Sequence, residues 1–245
     1  ALMLTTSAFA VQIPDELMQA LYASQGEPVT FTIKEDAFHS FKDVIGPGAQ
    51  YAAIIENPGT VSASVNQGEL QLLDKDGNIV STIGLYGSTP YEVAPGGIAY
   101  VVQGYISLSE EDAARVASYK ATIVGSTFKE EPAYPTVLPV TAAYAQTEVP
   151  DYFGEGKTYD GRVTVQIENN TAATAYDAQV ISVLRGKDGK LLAIGNTMAH
   201  DVGILPGTTI ELLNRISGGL VTKLVELQTE PATVESFAFV APEDN

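Results

Sequence analysis

Apolar and polar residues alternate in short runs along most of the chain, and turn residues separate the runs. The stretch 29–33 alternates first. Tyr51, Ala53 and Ile55 then share one face of a second run. Residues 70–80 hold an apolar run, an Asp-Gly turn and another apolar run, and further runs cover 98–108 and 119–124. Alternation over so few residues predicts β-strands. Gly46-Pro47-Gly48, Asn57-Pro58-Gly59, Asp76-Gly77 and Pro95-Gly96-Gly97 predict the turns between them. Asp76-Gly77 points to a type I′ hairpin, because the pair supplies positive φ at two central positions. Helical signals are confined to two short segments. Residues 14–24 carry Pro14, Asp15 and Glu16 in the first turn and are stopped by Gly26. Ser109 opens the second segment as a cap, with about one turn at 113–117.

The second half of the chain echoes the first. Ile55-Glu56-Asn57 aligns with Ile167-Glu168-Asn169, and Asp76-Gly77 with Asp188-Gly189, both at an offset of 112. Ile83-Gly84 aligns with Ile194-Gly195, and Pro95-Gly96 with Pro206-Gly207, at 111. Phe41 and Phe153 also match at 112, which suggests two rings plugging equivalent ends. Features present in both halves belong to the fold. Asn57 and Asn169 are expected to tolerate a turn conformation. Residues 129–139, with Glu130, Glu131 and three prolines, read as a semi-rigid linker. The division that follows is 1–10, 11–26, 27–131 and 132–245.

Leu70-Gln-Leu-Leu-Asp74, followed by Asp76-Gly77, resembles the Phe-x-Leu-Tyr-Asp motif that names the FxLYD domain. Asn57 before it and Ala94-Pro95-Gly96 after it fit the same pattern, so the resemblance covers roughly residues 50–106. The second half keeps Leu184, Asp188-Gly189 and Pro206-Gly207. The resemblance implies an immunoglobulin-like sandwich of the kind found in exported and surface proteins, largely bacterial and archaeal, and brings no catalytic residue. The expected fold is thus all-β: two tandem immunoglobulin-like β-sandwiches behind a short N-terminal helix. A helical crossover before Tyr119 looks like the E–F corner of such sandwiches, with the Tyr119 hydroxyl bonding nearby backbone.

Charge narrows the partners. The net charge of −17 repels phosphate backbones, which argues against nucleic acid. With no cysteine, disulfides and thiolate metal sites are excluded. Leu2 to Leu4 and Ala8-Phe9-Ala10 read as the end of a signal peptide cut after Ala10, giving a secreted or cell-surface protein. No stretch approaches the ~18 apolar residues of a membrane span.

Catalytic signals are weak. His39 and His200 are the only histidines, occupy non-equivalent places and lack triad or metal-ligand spacing. Asp74-Lys75-Asp76-Gly77-Asn78 has the oxygens of a calcium loop, but no bidentate Glu follows and Gly186 replaces Asp74 in the second copy. No cofactor and no enzymatic activity are expected. The strongest recognition feature is the stretch 144–159, read as a long loop carrying Tyr144, Asp151, Tyr152 and Tyr159. The function expected is a non-catalytic binding module for a protein or a surface glycan. The competing expectation is a filament or surface-layer subunit that self-associates by pairing its N-terminal strand with a neighbour's sheet edge. A secreted enzyme, such as a carbohydrate-active one, is the remote third.

Overall fold

The computed structural model describes residues 26–43, 45–150 and 157–242. The proposed signal remnant and N-terminal helix lie outside them. The first half comprises β1 (Pro28–Thr30), β2 (Thr32–Asp43), β3 (Gly46–Glu56), β4 (Ala63–Leu73), β5 (Ile79–Leu85), β6 (Ile98–Ser107), helix α1 (Glu110–Arg115) and β7 (Ser118–Thr127). The second comprises β8 (Thr136–Leu138), β9 (Val140–Pro150), β10 (Lys157–Glu168), β11 (Gln179–Arg185), β12 (Leu191–Met198), β13 (Thr209–Ile216), helix α2 (Gly218–Glu226) and β14 (Thr233–Val240). No helix among the described residues is long and apolar enough to cross a membrane.

The same sheet order occurs twice. Sheet A runs β1-β7-β4-β5 and sheet B runs β2-β3-β6. Sheet C runs β8-β14-β11-β12 and sheet D runs β9-β10-β13. Every pairing is antiparallel. Sheets A and B enclose one core, around Tyr51, Ile55, Leu70, Leu72, Leu85 and Ile123. Sheets C and D enclose another, around Val165, Ile167, Leu184 and Ala238, with Leu220, Val221 and Leu224 of α2 closing one side.

A third apolar cluster joins the halves. Ala37, Ala52, Ile54 and Tyr100 leave the outer face of sheet B and meet Ile181, Val183, Leu191, Ile194 and Phe239 on the outer face of sheet C. Tyr100 stacks on Phe237 with ring centroids 5.4 Å apart. The layers therefore follow the order A, B, C, D. Strand β3 is buried without a break from Gly48 to Ile55, and β11 from Val180 to Leu184, because both faces of each are covered. At the rim, Arg185 holds Glu35 in a two-pronged pair at 2.5 and 2.9 Å. The guanidinium keeps the Glu35 carboxyl below the usual carboxylate range. Phe41 of β2 crosses into the second core, and Gly219 of α2 lets it: a Cβ there would lie 2.6 Å from the Phe41 ring.

The counterparts of these apolar positions face water. Strand pairing gives Ile181 and Phe237 the places that Glu69 and Thr122 hold in sheet A. Tyr100 takes the place that Glu211 holds in sheet D. Glu69, Thr122 and Glu211 are exposed.

Several sequence expectations change in detail. Gly46-Pro47-Gly48 belongs to β3 and makes no turn. The two Asp-Gly hairpins are not type I′. Only glycine takes positive φ in them, +82° at Gly77 and +78° at Gly189. The Gly77 N–H donates to the Asp74 carbonyl at 3.0 Å and the Asp74 N–H to the Asn78 carbonyl at 2.9 Å, which makes a three-residue loop with a glycine bulge. Register shifts beside both turns fit it. The 112 offset also persists through β5 and β12, so Ile83 corresponds to Gly195 and not to Ile194. Ile83 accordingly packs on the first core while Ile194 faces the junction, the outcome of a one-residue slip. Phe41 lies within β2 opposite Gly48, and the paired position in the second half is Thr147. Phe153 is outside the described residues.

Asn57 and Asn169 do not take positive φ. Both are fully buried amides that tie loops together. Asn57 Nδ2 donates to the Val61 and Val93 carbonyls at 2.9 Å each, and the Gly59 N–H donates to its Oδ1. Asn169 does the same with Ala173, Ile204 and Thr171. Asn57→Ala and Asn169→Ala each strand two carbonyls. Urea unfolding is expected to show a loss of about 2 kcal/mol or more for each. A loss below about 0.5 kcal/mol would refute the amide's structural role.

The junction makes a second prediction. Ile54→Asp puts a charge between sheets B and C and is expected to part the halves while each keeps its core. Small-angle scattering should show a larger radius of gyration with unchanged strand content by circular dichroism. An unchanged radius would contradict the junction's dependence on apolar contact.

Candidate functional site

Two clefts open where the halves meet, at opposite edges of sheet B. The first lies at the β6 edge and measures about 380 Å³. Tyr86, Tyr100 and Met198 give it apolar surface. Gln179, Asn196 and Thr89 give it amide and hydroxyl groups, and no charged residue is among the described residues lining it. Thr89 reaches across the halves to Gln179 at 3.3 Å. Gly87 shapes the approach with φ +72°, in the left-handed region. Tyr86 is 76% exposed, and its ring lies across Gly84, where a Cβ would come within 2.6 Å of it.

The second cleft lies at the β2 edge and measures about 430 Å³. Phe38, Tyr119 and Leu227 form its apolar wall, and His39, Ser40 and Lys223 its polar one. Beneath it sits a fixed polar cluster. Asp36 accepts hydrogen bonds from the Tyr51 and Tyr119 hydroxyls, both at 3.2 Å. The Tyr119 bond thus goes to a carboxylate of β2, where the sequence reading expected nearby backbone. Phe38 packs on the Tyr119 ring at 5.3 Å. Burial, reinforced by the Asp36 charge and hydrogen bond, pushes the Tyr119 phenol up to about 12. The same causes push the buried Tyr51 phenol up as well. His39 is held between the halves. Its ring hydrogen-bonds the Leu192 backbone, its Nε2 is buried without a partner, and burial lowers its pKa.

The stretch 144–159 takes a different form from the expected loop. Tyr144 lies in β9 and Tyr159 in β10, and both rings pack on the second core. Burial pushes the Tyr144 phenol up to about 12. The Tyr159 N–H is tied to Thr222 Oγ1 at 3.0 Å. Asp151 and Tyr152 lie outside the described residues, so the four are not seen together as one surface. Asp74 turns its carboxylate onto the Asp76 and Asn78 backbone N–H groups, which keeps its pKa low and closes the hairpin. Ser109 caps α1 by accepting from the Asp112 N–H at 3.0 Å, as the sequence suggests.

His200 is exposed, with Asp177 at 3.5 Å and Asp201 at 3.8 Å. These three side chains could share an ion, yet exposed acidic groups gather in this way without one. Sequence reasoning missed both clefts. Their lining comes from segments up to 189 residues apart, which no local pattern links. Comparison with protein-family models finds no match, and comparison with curated proteins finds none either.

Alkaline titration tests the cluster beneath the second cleft. Tyr119 is expected to ionise near 12, above the ordinary phenol value of about 10, and Tyr51 later still. A raised phenol pKa contributes stability below the ordinary value, and that contribution is lost as the pH rises through the folded one. Asp36→Asn should bring Tyr119 ionisation down. Ionisation of Tyr119 at the ordinary phenol value of about 10 would refute the assignment.

Proposed function

We propose that the chain is a non-catalytic exported or cell-surface binding module, made of two tandem immunoglobulin-like sandwiches of the FxLYD kind behind a short N-terminal helix. Two matching arrangements of four-stranded and three-stranded sheets support the sandwich reading. The observation that carries the binding role is the uncharged cleft at the β6 edge. On a chain of net charge −17 it offers only aromatic, amide, hydroxyl and aliphatic groups. Rings stack on the apolar faces of sugars, while amides and hydroxyls bond sugar hydroxyls, so the lining suits a neutral surface glycan better than a charged partner.

An array of neutral oligosaccharides tests this reading. Binding is expected to fall about tenfold or more in Tyr86→Ala and Asn196→Ala. Recovery of the sugar unchanged by mass spectrometry supports a binding role, and recovery of cleaved sugar overturns it. The filament reading retains one observation in its favour. Strand β9 is eleven residues long and has a single neighbour, β10, so its outer edge has no strand partner among the described residues. Light scattering with and without residues 1–10 decides it, since a polymer that needs those residues supports the filament.

A further inference from the structure

The cleft at the β2 edge has a chemistry of its own. The chain carries 30 Asp and Glu against 13 Lys and Arg, yet no carboxylate is among the described residues lining this cleft. Lys223 brings a cation from α2, and Ser40 and Ser118 bring hydroxyls from β2 and β7. The Lys223 ammonium also lies 3.5 Å from Glu226 one turn on. That pair is exposed and worth little, so a bound anion can compete for the ammonium. The same three elements also bring Phe38, Tyr119 and Leu227, the last at the C-terminal cap of α2, to the lining. The volume, about 430 Å³, falls in the range of about 300–1,000 Å³ common for small-molecule sites, and such sites favour junctions between domains.

We propose that this cleft binds a small amphipathic carboxylic acid, its acid group held by Lys223 and His39 and its apolar part laid against Phe38, Tyr119 and Leu227. The proposal is independent of the glycan reading and uses a different cleft. The unpartnered Nε2 of His39 gives it a specific form. The ring already donates one N–H to the Leu192 backbone, so Nε2 of the neutral ring is an acceptor. A carboxylate therefore binds with one proton taken up from solvent and shared between its first oxygen and Nε2, while its second oxygen accepts from the Lys223 ammonium. The groups facing His39 agree with this. Helix α2 presents Lys223, β3 pairs the neutral Gln50 with His39, and the Leu192 backbone of β12 bonds its ring. Gln50 Oε1 is itself buried without a partner opposite His39, a second polar atom left open at this place.

The full chain titrated with hexanoate and phenylacetate, followed by calorimetry and by NMR of the Lys223 and Tyr119 signals, tests the proposal. Hexanamide and phenylacetamide serve as neutral isosteres. The acids should bind at least about tenfold more tightly than the amides, with proton uptake visible as a dependence of the heat on buffer. Lys223→Met should weaken the acids about tenfold and leave the amides unchanged. Ser118→Glu, at an exposed rim position, provides a second variant that should abolish acid binding while the melting temperature stays unchanged. Equal binding of acids and amides overturns the ligand class, and acid binding indifferent to Lys223→Met overturns the placement. Absence of any shift at Tyr119 overturns the site, and none of these outcomes touches the glycan reading, which is scored on Tyr86 and Asn196.

Discussion

The apolar contact between sheets B and C sets the form of the molecule. A lone sandwich leaves both outer faces in water. Here one face of each half is withdrawn, and every fully buried Ile or Phe gains about 1.5–3 kcal/mol over its exposed state. The contact fixes the orientation of α2 against β2, brings Phe41 into the second core and places Arg185 beside Glu35. It also creates both clefts, because two twisted sheets that meet over a central patch part at their edges. Neither cleft belongs to one half alone.

Much of the fold was legible in the chain. Turn residues and alternation located the hairpin at Asp76-Gly77, its echo at Asp188-Gly189 and the strands around them. The first helix among the described residues was announced by Ser109. What local pattern could not supply was register and partnership. Ile83-Gly84 and Ile194-Gly195 look equivalent as letters, but strand pairing sets them one residue apart and on opposite faces. Phe41 read as a plug on its own sandwich because its partner, α2, is 178 residues away at Gly219. The strand ends at Tyr144 and Tyr159 read as loop because their polar neighbours mask an inward alternation. The apolar runs in β3 and β11, interrupted only by Gln50 and Ser182, were the one available sign of burial on two faces.

Polar atoms inside the fold follow a consistent rule. Asn57 and Asn169 are buried with their hydrogen bonds met, and each replaces a backbone ladder where two loops approach. Ser182 takes the place of Leu70 in the second core, and Asn214 and Ser236 hydrogen-bond it there. A polar group was accepted in that core together with its partners, as the cost of stranding it demands. Among the described residues, three side chains depart from the rule, His39 of β2, Gln50 paired with it in β3, and Asn214 of β13, each keeping one unmet atom.

The exposed faces of sheets A and D give the molecule a direction. Glu69 and Thr122 stand where a further sheet would need the counterparts of Ile181 and Phe237, and Glu211 where it would need that of Tyr100. The halves are therefore not interchangeable. Stacking the halves through sheets A and D instead would press Glu69 and Glu211 into the seam and leave Tyr100, Ile181 and Phe237 in solvent. Two units of one architecture have become a left and a right piece, each covering the other's apolar face.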